Sequence, residues 1–140
     1  GTIDNVFLSH SSDDRLLPEN YVEKVMAELD ERGIKYWISS KKLKSGDKFG
    51  SKINFAVKDC SVFVLFVSQQ SLSSPDVKNE MALANKYKKK ILPVRIEDFD
   101  IMKDPDWEYW FMNCQVEDAL TNSEAEVKNF VNIVEKTLKG

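Results

Sequence analysis

The chain has 140 residues, 42% of them hydrophobic and 31% charged, with a formal net charge of −3. That length fits a single domain over residues 1–140 with one buried core. The charge balance excludes a dedicated nucleic-acid binder, and the apolar and aromatic content excludes a disordered tail. Cys60 and Cys114 form no CxxC pair and no disulfide framework, so a cytoplasmic location is expected. His10 is the single histidine, which argues against a histidine-based metal site. The longest apolar run, Val62 to Val67, is strand-length and far short of the ~20 residues of a membrane span. Asp4 interrupts the short apolar start, so no secretory leader is expected. Neither a nucleic acid nor a membrane is an expected partner.

Along the chain, Ile3 to Ser9 is β-branched and apolar and reads as a first strand. His10 to Leu17 is polar loop. Pro18 suits a helix start, and Tyr21, Val22, Val25, Met26 and Leu29 then follow helical spacing until Gly33. Ile34 to Ile38 reads as a second strand, Ser39 to Gly50 as a long basic loop, and Ile53, Ala56 and Val57 as a short helix. Ser61 to Val67 is a third strand, apolar on both faces like a central parallel strand. Ser68 to Pro75 reads as loop, Asp76 to Lys88 as helix, and Ile91 to Ile96 as a fourth strand. An acidic loop, Glu97 to Asp106, precedes a short aromatic helix from Trp107 to Met112. Its aromatic residues are expected in the core. Gln115 and Val116 begin a short fifth strand. Ser123 to Leu138 forms the last helix, with Ser123 and Glu126 at capping-box spacing.

Alternating strands and helices specify a parallel sheet covered by helices on both faces. With strand order 2-1-3-4-5, ligands bind outside the carboxyl ends of strands one and three, where the order reverses. The loops there, from Ser9 to Asp14 and from Ser68 to Ser74, are rich in hydroxyl and other short polar groups. Several familiar chemistries are absent from that rim. There is no GxxxxGK[ST], no GxGxxG after the first strand and no GxSxG. A phosphoacceptor receiver would need acids where Ser9, His10 and Ser68 stand.

One side chain is singled out by helix geometry. At about 100° per residue, Val77, Met81, Leu83, Ala84 and Tyr87 span an apolar arc of roughly 160°. Glu80 falls inside that arc, while Lys78, Asn79 and Lys86 fall outside it. A carboxylate on the core-facing side must have a partner. It either caps amides or pairs with a lysine, or it does chemistry at the rim. His10 is a loop hydrogen-bonder or a site residue. Lys41, Lys42, Lys44, Lys48 and Lys52 form a solvated surface or an anion site. Lys86, Lys88, Lys89 and Lys90 complement a helix C-terminus.

Taken together, these segments resemble the Toll/interleukin-1 receptor (TIR) domain family, of the bacterial type. Val6 to Asp14 resembles its first box and Gly33 to Ile38 its second strand. Leu43 to Asp47 resembles the start of its BB loop, and Asp59 to Ser68 its third strand. Ser74 to Ala84 is similar to its S-x-W-x-x-x-E helix, and Ile91 to Val94 to its fourth strand. Asp76 stands where the family has tryptophan, and Ser39 and Ser40 stand where an acid is common. The resemblance implies a flavodoxin-like five-stranded parallel sheet of order 2-1-3-4-5. It also implies cleavage of NAD+ at the nicotinamide–ribose bond, giving nicotinamide and ADP-ribose or a cyclic isomer. NAD+ is then substrate, and no cofactor is needed.

The resemblance puts the catalytic glutamate at Glu80. Phe7, Ser9, His10 and Ser11 are implied to line the nucleotide pocket and Trp37 its wall. Ser39, Lys48 and Phe49 approach from the BB loop, and Ser74 positions substrate. Self-association through the BB loop, Ser39 to Gly50, is implied to activate the enzyme. A sensor domain outside this chain and a role in bacterial anti-phage defence are further expectations. The competing expectation is a non-enzymatic adaptor that signals by TIR–TIR contact, or a mimic of host receptors. A flavin carrier is disfavoured because the first loop holds no glycine.

Overall fold

The computed structural model describes residues 5–11, 21–38, 49–99, 104–112, 114–121 and 123–139. Its elements run β1 (Asn5–Ser9), α1 (Tyr21–Glu31), β2 (Lys35–Ile38), α2 (Phe49–Asp59) and β3 (Val62–Val67). They continue with α3 (Gln69–Ser73), α4 (Pro75–Lys86), β4 (Lys90–Arg95), α5 (Pro105–Phe111), β5 (Glu117–Asp118) and α6 (Glu124–Lys139). The five strands form one sheet in the order β2-β1-β3-β4-β5, all pairs parallel. The expected α/β fold and strand order are therefore present.

The sheet splits the core in two because successive strand residues point to opposite faces. On β1, Val6 and Leu8 join Val62, Val64 and Phe66 of β3 under α1 and α6. Phe7 joins Phe63, Leu65 and Val67 under α2, α4 and α5. All six residues of β3 are buried, as a strand covered on both faces requires. The apolar stripe of α6 (Val127, Phe130, Val131, Val134) is buried against the first cluster. Its entry is held by the expected capping box: Ser123 Oγ accepts from the Glu126 amide, and Glu126 Oε1 accepts from the Ser123 amide.

Several boundaries moved for physical reasons. The fifth strand is Glu117–Asp118 and does not include Gln115 and Val116, because its pairing with β4 reaches only Val94 and Arg95. Helix α5 starts at Pro105 under its Asp104 cap, and α2 starts at Phe49. The segment after β3 is not all loop. Ser68 and Ser71 cap one another reciprocally and nucleate the short α3. Helix α4 begins at Pro75, because Ser74 is its N-cap and proline fits the first turn. The aromatic segment divides: Trp107 and Phe111 are core, but Tyr109 is exposed. Helix α1 ends in a Schellman turn, with Gly33 at φ 70° and the Ile34 amide donating to Leu29 O.

Candidate active site

Strand β1 ends at Ser9, and α4 starts at the rim reached from the carboxyl end of β3. These are the two strands between which the sheet order reverses. Glu80 lies in the second turn of α4. Val77, Glu80, Met81 and Ala84 are its buried residues, the arc expected from helical spacing. Ser9 has the same pleat parity as Phe7 and so points to the α4 side. Its hydroxyl donates to Glu80 Oε1 at 2.7 Å. Glu80 is 2% exposed and Ser9 0%. That bond orients the carboxyl group within the site.

Beneath that pair, the Phe7 ring is sandwiched between Trp37 (centroids 5.1 Å, 20°) and Phe63 (5.2 Å, 8°). Phe7 is fully buried and Trp37 half-buried, so the aromatic stack forms a rigid floor that ends at the edge strand. His10 and Ser11 follow directly and are buried as well. Ser9, His10, Ser11, Phe7, Trp37 and Glu80 thus converge on one end of β1. Ser39 and Lys48 lie outside the described residues. Phe49 opens α2, with its side chain outside them.

Ser74 has a different setting. Its Oγ accepts the Val77 amide at 3.4 Å as the α4 cap. It also lines a separate cleft of about 630 Å³ with Leu72, Pro75, Lys78, Phe99 and Trp107. Lys78 and Glu80 are about 160° apart around the helix, so this cleft lies on the other flank of α4. Lys78 bridges Asp104 (3.0 Å) and Asp106 (3.1 Å) there. Hydrogen bonds to the two carboxylates raise the Lys78 pKa above its ordinary value, and the bond from Lys78 lowers that of Asp104. Trp107 Nε1 donates to Leu72 O at 3.0 Å and ties α5 to α3. Sequence patterning gave no sign of this cleft, because the residues lining it come from three separate stretches of the chain.

The thiol of Cys60 donates to Val57 O, and burial pushes its pKa up to about 11. Such a thiol is a core group rather than a nucleophile. Among the described residues no His/Cys/Asp/Glu group is arranged to hold a metal ion, and no helix is long and apolar enough to cross a membrane.

A parallel sheet of this order, with helices on both faces and the buried Glu80 at its switch point, defines an α/β protein of the doubly wound class. The chain belongs to the TIR domain family, whose model matches residues 6–129. No curated protein matches it at a significant level. Among solved structures it is similar to the TIR domain of the Toll-related receptor TRR-2 from Hydra magnipapillata. The TM-score is 0.71 at 14% identity, over 93% of this chain and 97% of that one. It is similar to the CMP N-glycosidase BcmB of Clostridium botulinum at TM-score 0.62 and 20% identity, over 92% and 99%. The RPS4 and RRS1 TIR domain heterodimer gives 0.67 and 15%, over 98% and 99%. At these identities the likenesses establish the fold.

Proposed function

We propose that this chain is an NAD+ nucleosidase that cleaves the nicotinamide–ribose bond with Glu80 as its catalytic carboxylate. The observation that carries the reading is the buried Glu80, held by Ser9 at the switch point of the sheet. Cleavage breaks the C1′–N bond, and the electron pair leaves with nitrogen. The leaving pyridinium is cationic before cleavage and neutral after it, so no general acid has to protonate it. The ribosyl fragment passes through an oxocarbenium-like state. A preorganised carboxylate in a poorly solvated site stabilises that developing cation more than water would. Water then attacks C1′ and loses its proton, giving ADP-ribose; attack by a group of the same substrate gives a cyclic isomer.

Phe7 and Trp37 would support the site from below, with Ser9, His10 and Ser11 beside the carboxylate. Ser39, Lys48 and Phe49 would approach from the segment 39–50, and Ser74 would act from the start of α4. The similar fold of a protein named as an N-glycosidase supports the reaction class. The heterodimeric TIR pair supports association between TIR domains. On this reading the chain is one cytoplasmic domain, 1–140, assembled through residues 39–50 when a sensor outside it is triggered, in bacterial anti-phage defence. NAD+ is substrate and no cofactor takes part.

The test follows nicotinamide release from NAD+ by the concentrated or surface-tethered protein beside Glu80→Gln. Cleavage by the wild type and none by the variant is expected. A wild type that is verifiably assembled and still leaves NAD+ intact overturns the reading in favour of a non-enzymatic adaptor.

A further inference from the structure

The net charge of −3 hides how unevenly the charges are placed. All strands run parallel and the crossover helices return against them, so helix ends and strand starts share one end of the molecule. Lys35 opens β2, Lys58 lies in the last turn of α2, Lys86 closes α4, and Lys88, Lys89 and Lys90 lead into β4. Between residues 84 and 92 the chain has no acid, and between 52 and 61 only Asp59. Lys35, Lys58, Lys86, Lys88 and Lys90 are exposed, and among the described residues none of them has a carboxylate at ion-pair distance. Lys89 Nζ donates to Lys58 O, which ties the ends of α2 and α4 together.

The opposite end, where the strands finish and Glu80 lies, is acidic. Glu97 and Asp98 follow β4, Asp104 and Asp106 stand at the start of α5, and Glu117 and Asp118 form β5. Most of those carboxylates are already engaged. Lys78 holds Asp104 and Asp106, Arg95 holds Asp98 and Asp118, and Gln69 holds Glu97. The lysine end has no such internal answer. Helix dipoles account for Lys58 and Lys86, which sit in last turns. They do not account for Lys88, held at a left-handed φ of 55° where glycine is usual, or for Lys90 on β4. The register places Lys35 beside Asn5 and Lys90 beside Val62, so the lysines span four neighbouring strands. At about 4.8 Å per strand that is roughly 15 Å.

We propose that this end of the molecule docks on an anionic lipid surface through Lys35, Lys58, Lys86, Lys88 and Lys90. The charges are spread across the end of the sheet, which suits a layer of headgroups better than a single phosphate. All five are lysines, point charges without the bidentate fork that reads one phosphate or one base edge. A negative surface attracts each of them and repels the acidic end, so the field orients the molecule as well as holding it. Docked in this way, the rim with Glu80 faces away from the bilayer. The expectation of no membrane partner rests on the absence of an apolar span, whereas lying on a bilayer needs charge. Charge without an apolar anchor holds weakly, so the docking is reversible and sensitive to salt. The contact uses neither Glu80 nor the segment 39–50, so it stands or falls apart from the nucleosidase reading.

Sedimentation of the whole chain with vesicles tests it, using phosphatidylcholine alone and phosphatidylcholine mixed with phosphatidylserine. Lys88→Glu/Lys90→Glu alters the docking end. Lys52→Glu/Lys128→Glu makes the same change in net charge toward the other end, in early turns of α2 and α6. All four side chains are exposed, so both proteins are expected to fold, which circular dichroism checks. The wild type should pellet with the anionic vesicles, stay in solution with the neutral ones and be released by salt. At about fivefold per lysine, Lys88→Glu/Lys90→Glu should bind at least roughly 25-fold more weakly. Lys52→Glu/Lys128→Glu should bind nearly as the wild type does. A wild type that ignores the anionic vesicles, or binds the neutral ones equally, overturns the proposal. So does equal loss in the two variants, which would make net charge the cause. A wild type that leaves the vesicles and binds an RNA duplex overturns it too, and assigns the end to nucleic acid.

Discussion

Neighbouring residues of β1 serve layers of different character. Val6 and Leu8 enter a hydrophobic cluster under α1 and α6, at whose margin the Tyr21 hydroxyl donates to Glu126 O. Phe7 and Ser9 enter the layer of α2, α4 and α5, where Glu80 is buried beside Met81 and Ala84. One layer is built by the rule that a sheet face should be packed with hydrocarbon. The other buries a carboxylate and its serine partner at the carboxyl end of the strand, where an α/β sheet binds its ligands. A local rule broken without an obvious structural gain is where function is to be sought.

Neutralising the exception should give the largest effect. Glu80→Gln keeps the shape and removes the charge. Under the proposed chemistry, single-turnover nicotinamide release should fall by about 10³-fold or more. The midpoint of urea unfolding should hold or rise, since a buried charge is lost and a hydrogen-bond acceptor kept. The opposite layer should respond the other way. Leu8→Ala removes fully buried volume and should cost about 2–5 kcal/mol of stability. Turnover per folded molecule should change little. If Leu8→Ala lowered turnover as far as Glu80→Gln does, the division of labour between the layers would be wrong.

Ser9 sharpens the same contrast at smaller size. Ser9→Ala leaves a buried carboxylate without this donor and should cost about 1–3 kcal/mol. Combining it with Glu80→Met should cost less than the two changes added together, because the second removes the group that needed the first. A double-mutant cycle read by denaturation measures that coupling; strictly additive values would show that the 2.7 Å bond carries no energy.

How much of this was legible in advance depends on the reach of each signal. Strand order and the two faces follow from short-range patterning of β1, β3 and the helices. Glu80 was legible because an acid within an apolar arc breaks the helical period. Its partner was not, since Ser9 is 71 residues away and no local pattern links them. Helix α3 was hidden because serine, glutamine and leucine give no periodic stripe over five residues. The Ser68–Ser71 spacing was its one sign. Trp107, Tyr109, Trp110 and Phe111 were expected in the core together. Helical geometry turned Tyr109 and Met112 outward.

Titration offers a further, weaker probe of the site layer. Burial raises the Cys60 pKa from 9.0 to about 11. The folded state thus binds this proton more tightly than the unfolded chain does. The associated stability is complete below pH 9 and is lost as the pH climbs through about 11. Denaturation midpoints measured across that window should fall by less than one proton's worth of slope. Cys60→Ser, whose hydroxyl does not ionise there, should flatten part of the decline.

The smallest expected effect comes from comparing the ends of α1 and α4. Both close with the same hydrogen-bond pattern. The Ile34 amide donates to Leu29 O after α1, and the Lys89 amide donates to Ala84 O after α4. At the left-handed position α1 has Gly33 (φ 70°) while α4 has Lys88 (φ 55°). A β-carbon there crowds the carbonyl oxygen, at about 1 kcal/mol relative to glycine. Lys88→Gly should therefore stabilise the protein by up to about 1 kcal/mol, less the greater chain entropy of glycine in the unfolded state. Gly33→Ala should destabilise it through the same strain, although its β-carbon would meet no atom within 4 Å. Opposite signs from these two substitutions would locate the cost in the backbone angle rather than in contacts. Equal signs would mean that the Lys88 side chain offsets its strain through its surroundings at the end of α4.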